Sequence, residues 1–351
     1  MFLAVFSGAD TIEGIHDYTV YKVNFLKELL GEKFTPPSYS TFWWLLTRMN
    51  PEAFAEAFVR WTRDCHVGKL EGKQLSLDGK SLRRALNANG KCNTHIVHAW
   101  VCEDGLLIGQ KKTSEKSNEI TAIPALLSQL DIQGAVVSID AAGCQKNIAE
   151  TIRKLGGHYF LAVKNNQPKL YSEIVTLFEA ARKADFEYVL NCDMYERIEK
   201  KSGRIEKRTV TIISDPSEIS VAHEWKDLET LVEVIYETTS SRGKTTKETR
   251  YFIASVIRSA QQMGGYARKH WGLESMHWTL DVTFREDESR ANVLHGAINL
   301  GTLRRACISL VKSDPGLKRL GFAKARRQAM WGMDDVLIKK VIDSLFGVKS
   351  L

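Results

Sequence analysis

An α/β fold built on a mixed sheet is what this 351-residue sequence predicts. Three observations lead there. Apolar, strand-like runs alternate with helical periodicity between residues 74 and 164, an early pair of runs is joined by a tight turn, and a later block alternates charged with β-branched residues. Strands linked through helices pair in parallel, whereas a tight turn makes an antiparallel pair, so the sheet contains both.

Residues 1–70 read as an N-terminal helical region. Asp10-Thr11-Ile12-Glu13 has the form of a helix start, and apolar spacing through Tyr18, Tyr21, Phe25, Leu26 and Leu30 carries one helix to Gly31. Pro36 and Pro37 break the chain, Ser38 or Ser40 caps a second helix reaching Met49, and Pro51 opens a third. Short helices with short turns suit a DNA-gripping helix-turn-helix or a cap packed on the main domain, and the sequence is read as the cap.

Residues 71–185 form the first part of the core. LSLDG, residues 75–79, is a strand ending on Asp78; HIVHAWV and LLIGQKK form a hairpin turning at Glu103-Asp104-Gly105. EITAIPALLSQL predicts a helix, GAVVSID a buried strand ending on Asp140, QKNIAETIRKL a helix and YFLAVK another buried strand. Residues 186–257 are a β-rich insertion of two hairpins, turning at Ser202-Gly203 and at Ser241-Arg242-Gly243. Residues 258–351 hold a long helix followed by basic helices.

Asp78 and Asp140 each stand at a strand end. An ionised carboxylate at the edge of a core needs a compensating cation, and neither strand as read contains a Lys or Arg. A divalent metal held by oxygen ligands would serve. Equally, each Asp suits the N-cap of the helix or turn that follows. Further on, His270, Glu274, His277 and Asp281 fall at helical spacing on one stripe between Trp271, Trp278 and Val282 on one side and Leu273 and Leu280 on the other. Such a stripe is either internally salt-bridged, or part of an acid cluster, or a two-histidine, one-carboxylate metal site.

The formal net charge is +7, which favours a polyanionic partner. The excess gathers at Arg304, Arg305, Lys312, Lys318, Arg319, Lys324, Arg326 and Arg327, opposed between residues 301 and 330 by Asp314 alone. Cys65, Cys92, Cys102, Cys144, Cys192 and Cys307 show no paired spacing, which suits a reduced compartment, and no apolar run is long enough to span a membrane, so a cytoplasmic protein is expected. Cys92, His95, His98 and Cys102 have a metal-like spacing, but they lie on a strand, where residues three apart point to opposite faces.

Taken together, LSLDGKSLR, EKSNEITAIPALL, SIDAAGCQ, YFLAVKNNQ and HWGLESMHWTLDVTFRED resemble, in this order, the motifs of the H-repeat-associated branch of DDE-class insertion-sequence transposases. The resemblance spans residues 8 to 335. It implies an RNase H-like mixed-sheet catalytic core, with Asp78, Asp140 and Glu274 as the acid triad holding Mg²⁺ or Mn²⁺, two ions in all. The implied activity is metal-dependent DNA strand cleavage and strand transfer at element ends. Hard oxygen donors suit these ions, and a metal pair stabilises both attacking and leaving oxygens. Implied partners are double-stranded DNA, both terminal repeats and target, and a second copy of the chain as a homodimer on DNA.

DNA contacts are expected at Lys80, Arg83, Lys116, Asn118, Arg268, His270, His277, Arg326 and Arg327, and at Lys164, Asn165 and Gln167 unless these form an ordinary polar turn. The sequence departs from the Tyr, Arg, Glu, Lys signature that many DDE transposases carry: Ala267, His270 and Asp281 occupy the places around Glu274 where Tyr, Arg and Lys would stand. That departure keeps open a decayed or domesticated DNA-binding relative without cleavage activity. A mononuclear oxidase or hydrolase on His270, Glu274 and His277 is a further alternative, though it leaves both aspartates unexplained.

Overall fold

The computed structural model describes residues 1–63, 68–82, 95–113, 119–186, 191–201, 203–289, 291, 293–331, 338 and 341–342. Two compact units divide the chain: Met1–Lys69, Gly79–Asn118 and Glu274–Leu351 form the first, and Leu70–Asp78 with Glu119–Leu273 the second.

In the second unit, β1 (Gln74–Ser81), which contributes Gln74 to Asp78 here, pairs in parallel with β4 (Val136–Ile139). β4 pairs in parallel with β5 (His158–Val163), and β5 antiparallel with β9 (Thr245–Ala254). β8 (Thr230–Thr239), β7 (Arg204–Ile213) and β6 (Cys192–Lys201) continue antiparallel, giving the order β1-β4-β5-β9-β8-β7-β6. The β-rich insertion therefore lengthens the central sheet instead of building its own. Its hairpins turn at Gly203 and Gly243, whose φ values of 77° and 78° are left-handed.

Helices α6 (Glu119–Leu127), α7 (Lys146–Lys154) and α8 (Pro168–Lys183) join or follow the parallel strands, and α8 is an element the sequence reading did not identify. α9 (Ala260–His270) lays Ala260, Met263 and Ala267 against Val136, Phe160, Val210, Val232 and Phe252 of the sheet. Gly264 permits this approach, since a Cβ there would stand 2.7 Å from Val210 Cγ2. A large mixed sheet with helices packed on it is the RNase H-like architecture expected above.

The first unit is helical around one hairpin. Thr11, Ser38 and Asn50 cap α2 (Ile12–Tyr21), α4 (Tyr39–Arg48) and α5 (Pro51–Thr62) through their side-chain oxygens, in the places where helix starts were predicted. The single helix expected up to Gly31 is instead two, α2 and α3 (Val23–Leu30), because the chain leaves helical geometry at Lys22. A short α1 (Phe2–Phe6) precedes them. Helices α1, α4 and α5 pack on α11 (Gly296–Ser313), which is buried along nearly its whole length. Asn299 on α11 donates to the carbonyls of Leu46 and Met49, satisfying the last turn of α4. β2 (His95–Val101) and β3 (Leu106–Thr113) form the antiparallel hairpin, with Gly105 at φ 72° in its turn. α10 (Gly272–Trp278), α12 (Pro315–Leu320) and α13 (Phe322–Trp331) complete the described helices. None of these is long and apolar enough to cross a membrane.

Candidate active site

Leu77 faces Ile139 across the parallel pair β1/β4, and the next residue of each strand is an aspartate. Adjacent strands run about 4.8 Å apart, so this register sets Asp78 and Asp140 side by side. Alternation along the strands puts them on the face of Ser76 and Ser138. Both acids are half-buried. β1 does not end at Asp78 but continues to Ser81, which corrects the expectation that no cation lies in its strand: Lys80 does. It is the β4 ladder, not the strand, that stops at Leu77.

Asp140 also serves as an N-cap, its Oδ1 accepting from the backbone N–H of Ala142 at 3.0 Å and of Gly143 at 3.3 Å. Capping and metal ligation are compatible, since a carboxylate offers about four lone-pair sites. The loop after Asp140 is pinned from β5's far end: Asn166 donates its amide to the carbonyl of Ala141, and Gln167 to that of Cys144 at 3.0 Å. Gly143 makes the turn possible, because a Cβ there would stand 2.3 Å from Ile139 Cγ2. Lys164 and Asn165 in the same turn are exposed.

Behind the aspartates runs a hydroxyl network. Ser138 Oγ lies 2.8 Å from Ser76 Oγ and 3.1 Å from His270 Nδ1, and Gln74 donates to Ser138 Oγ and to the Tyr266 carbonyl, each at 2.9 Å. His270 on α9 is thereby tied to the strand that carries Asp140. Burial pushes its imidazole below the ordinary range; Asp140 opposes this and Arg250 adds to it. Burial likewise pushes the Cys144 thiol up to about 12, with Asp140 adding to the effect.

In the first unit Glu274 stands exposed on α10. The continuous stripe expected through His270, Glu274, His277 and Asp281 is not formed: α9 ends at His270, Trp271 turns the chain, and Thr279–Thr283 follows a wider π-type winding. His277 Nε2 meets His98 Nδ1 at 3.1 Å, and Asp281 Oδ1 meets Lys80 Nζ at 2.6 Å. Glu286 and Asp287 stand 3.4 and 3.2 Å from the same ammonium. His270 engages Ser138 through Nδ1 and His277 engages His98 through Nε2, so the two rings belong to separate hydrogen-bond networks. Among the described residues no three or more His, Cys, Asp or Glu side chains are grouped to hold a metal ion. The candidate centre is read on Asp78 and Asp140, the residues that follow the paired Leu77 and Ile139.

The expected DNA contacts divide. Arg83, Lys116, Asn118 and, from the dismissed cysteine-histidine spacing, Cys92 lie outside the described residues. Arg268 is half-exposed and donates to Glu199 at 2.8 Å. Arg327 is exposed, whereas Arg326 is mostly covered, donating to Asp10 and to the Thr283 carbonyl and lying 4.7 Å over the Phe284 ring. Lys80 is buried among its three acids. The basic C-terminal field is smaller than its count suggested, because Arg304 and Arg305 are 1% exposed and face Glu286. Lys312, Lys318, Arg319 and Lys324 remain exposed. Sequence reasoning missed Glu286, and it named His98 only within the dismissed metal-like spacing, missing its bonds to His277 and Arg305; the signal for His98 was its place within a largely apolar strand.

Two aspartates, each following a paired position of neighbouring parallel strands in a mixed sheet with a β-rich insertion, point to a class that the relatives specify. Residues 70–310 match the family model described as "Transposase DDE domain", and residues 1–62 that described as "DDE_Tnp_1-associated". The chain belongs to the DDE transposase family. The chain is similar to "H repeat-associated putative transposase YhhI" and to "Putative protein YbfL", both of Escherichia coli, each 35% identical over 333 residues and spanning 93% of this chain and 87% of theirs. A solved piggyBac transposase synaptic complex with hairpin DNA is similar at a TM-score of 0.43 and 12% identity, over 85% of this chain and 60% of that one.

Proposed function

We propose that this protein cleaves DNA at the ends of an insertion sequence and transfers the freed strands to target DNA, with divalent metal as cofactor. In the first step a water oxygen bonds to phosphorus as the bond to the 3′ oxygen breaks, leaving a 3′-hydroxyl and a 5′-phosphate. In the second, that 3′-hydroxyl takes the place of water on a target phosphate, and a target 3′-hydroxyl leaves.

The observation that supports this reading is the β1/β4 register, Leu77 opposite Ile139, with a half-buried aspartate following each of them. Mg²⁺ is commonly bound through one or two carboxylates, with water and substrate phosphate completing its octahedron, so the pair fits such an ion. Asp78 and Asp140 would hold it, and Glu274 is assigned as the third ligand by its match to the family's motif. When bound, the ions supply positive charge at the attacking and leaving oxygens. The chain's own contribution is positional: Asn166, Gln167 and the Asp140 cap fix the loop, and Ser76, Ser138 and His270 fix the strands beneath it. Lys164, Asn165, Lys318, Arg319, Lys324 and Arg327, all exposed, are the phosphate contacts of this reading, and the DNA-bound species is a homodimer.

The test is a plasmid carrying the element's ends, incubated with the protein and Mg²⁺ or with EDTA. Nicking at those ends that needs the metal and is lost in Glu274→Gln supports the reading. Binding without any cleavage in Mg²⁺ or Mn²⁺ would replace it with that of a DNA-binding relative.

A further inference from the structure

Within the first unit three side chains form a directed chain. Arg305 Nε donates to His98 Nε2 at 2.9 Å, and His98 Nδ1 lies 3.1 Å from His277 Nε2. Arginine nitrogens only donate, so His98 Nε2 accepts and the proton of this ring is on Nδ1, where it donates onward. His277 Nε2 is then the acceptor, and His277 keeps its own proton on Nδ1. The arginine thereby sets the tautomer of both rings.

The base of this chain is rigid. Arg305 is almost fully buried, with Nη2 3.6 Å from Glu286, and Gly301 yields it space that a Cβ would invade to 2.5 Å from Nη1. His98 is fully buried in β2, its backbone in register with Gln110 of β3. His277 stands three residues after Glu274 on α10, one helical turn away. Apolar packing by Met276 and Leu280 already seats this segment, so a histidine pair with one ring fully buried and the other partly covered adds a desolvation cost for what leucine would do more simply. Directional bonds give what leucine does not: they fix the rotation of the helix about its axis.

Resting on the reading of Glu274 as the third acid, we infer that His277, held by His98 and Arg305 as a neutral Nδ1–H ring, is a positioning residue for Glu274. The hydrogen-bonded chain orients α10 and with it the direction of the Glu274 carboxylate.

The test uses the full chain, element-end DNA and Mg²⁺, reading the single-turnover cleavage rate, DNA affinity and the ¹⁵N signals of the histidines. His277→Leu is expected to slow cleavage at least about tenfold, the scale seen when partners behind metal ligands are removed, with DNA affinity unchanged. His277→Gln, whose side-chain carbonyl can accept from His98 Nδ1, is expected to recover to within about threefold of wild type. In the unaltered chain both Nε2 nitrogens are expected without a proton; a protonated Nε2 on either ring overturns the chain as drawn. A wild type that cleaves, a Glu274→Gln variant that does not, and a His277→Leu variant at full rate overturn this inference alone. Glu274→Gln cleaving at full rate overturns the reading beneath it, and this inference with it.

Discussion

The Lys80 ammonium lies 2.6 Å from Asp281 Oδ1 and is closed in by Glu286 and Asp287. Burial draws the Lys80 pKa down, but Glu286, Asp281 and Asp287 more than reverse this, and the net direction is up. Glu286 is held below the ordinary carboxylate range: burial opposes, and Arg305, Lys80 and Arg304 prevail. Asp281 moves the other way, raised by burial and by its acidic neighbours despite Lys80, which leaves Glu286 as the fully buried carboxylate beside this cation. Lys80→Met leaves that buried carboxylate short of a cation and is expected to cost about 3–5 kcal/mol in urea unfolding. Asp281→Asn, which relieves repulsion while keeping a hydrogen-bond acceptor, should cost less than about 1.5 kcal/mol. Equal losses in the two variants would deny Glu286 its role.

Acid should destabilise the protein well above the carboxylate range. Burial, then the charges of Arg305 and Lys80 among others, push His98 well below its ordinary 6.5 and His277 to about 3. The folded values are depressed, so this stability is present above pH 6.5 and is lost as pH falls toward the folded values. Each pH unit in that window costs up to about 1.4 kcal/mol per histidine, hence up to about 4 kcal/mol for the pair between pH 6.5 and roughly pH 5. Urea midpoints measured across that window should fall steeply in the wild type and less steeply in His277→Gln, where His98 and His270 still contribute.

Asp140 has two tasks that substitution separates. Asn caps as well as Asp, so Asp140→Asn should keep the melting temperature near wild type, while Asp140→Ala forfeits about 1 kcal/mol of cap. Gly143→Ala leaves the charge intact but forces a Cβ against Ile139, at a cost of about 1–3 kcal/mol and with slower cleavage from a displaced Asp140 loop. A Gly143→Ala variant of wild-type stability would show that the turn has room it is not expected to have.

DNA affinity should fall by orders of magnitude between about 50 and 200 mM salt. Arg327→Ala, at an exposed cation, is expected to flatten the log–log slope by about one, whereas a position already committed internally, such as Arg326, should alter stability first. A slope unchanged by Arg327→Ala removes that residue from the phosphate contacts.

What the sequence disclosed follows from how local each signal is. The helix starts at Asp10–Glu13, Ser38 and Pro51, the Asp-Gly turn and the apolar runs of β4 and β5 are written in neighbouring residues, and the structure has them in place, with the first and third caps falling on Thr11 and Asn50. Whether Asp78 and Asp140 come near each other depends on register between strands far apart in sequence, here Leu77 opposite Ile139, which strand-end position alone does not specify. The Glu274 helix was misread as uniform because a 3.6-residue period assumes no break at Trp271 and no π-type winding at Thr279–Thr283. Counting charge placed Arg304 and Arg305 on the surface, since nothing near Glu286 in the sequence marks it as their buried counter-ion.

The most direct test of the aspartate pair is the single-turnover cleavage rate of element-end DNA by Asp140→Asn beside wild type, in Mg²⁺, with thermal melting recorded on both. The account predicts matching melting curves and loss of cleavage. Cleavage at the wild-type rate by the folded variant would contradict it.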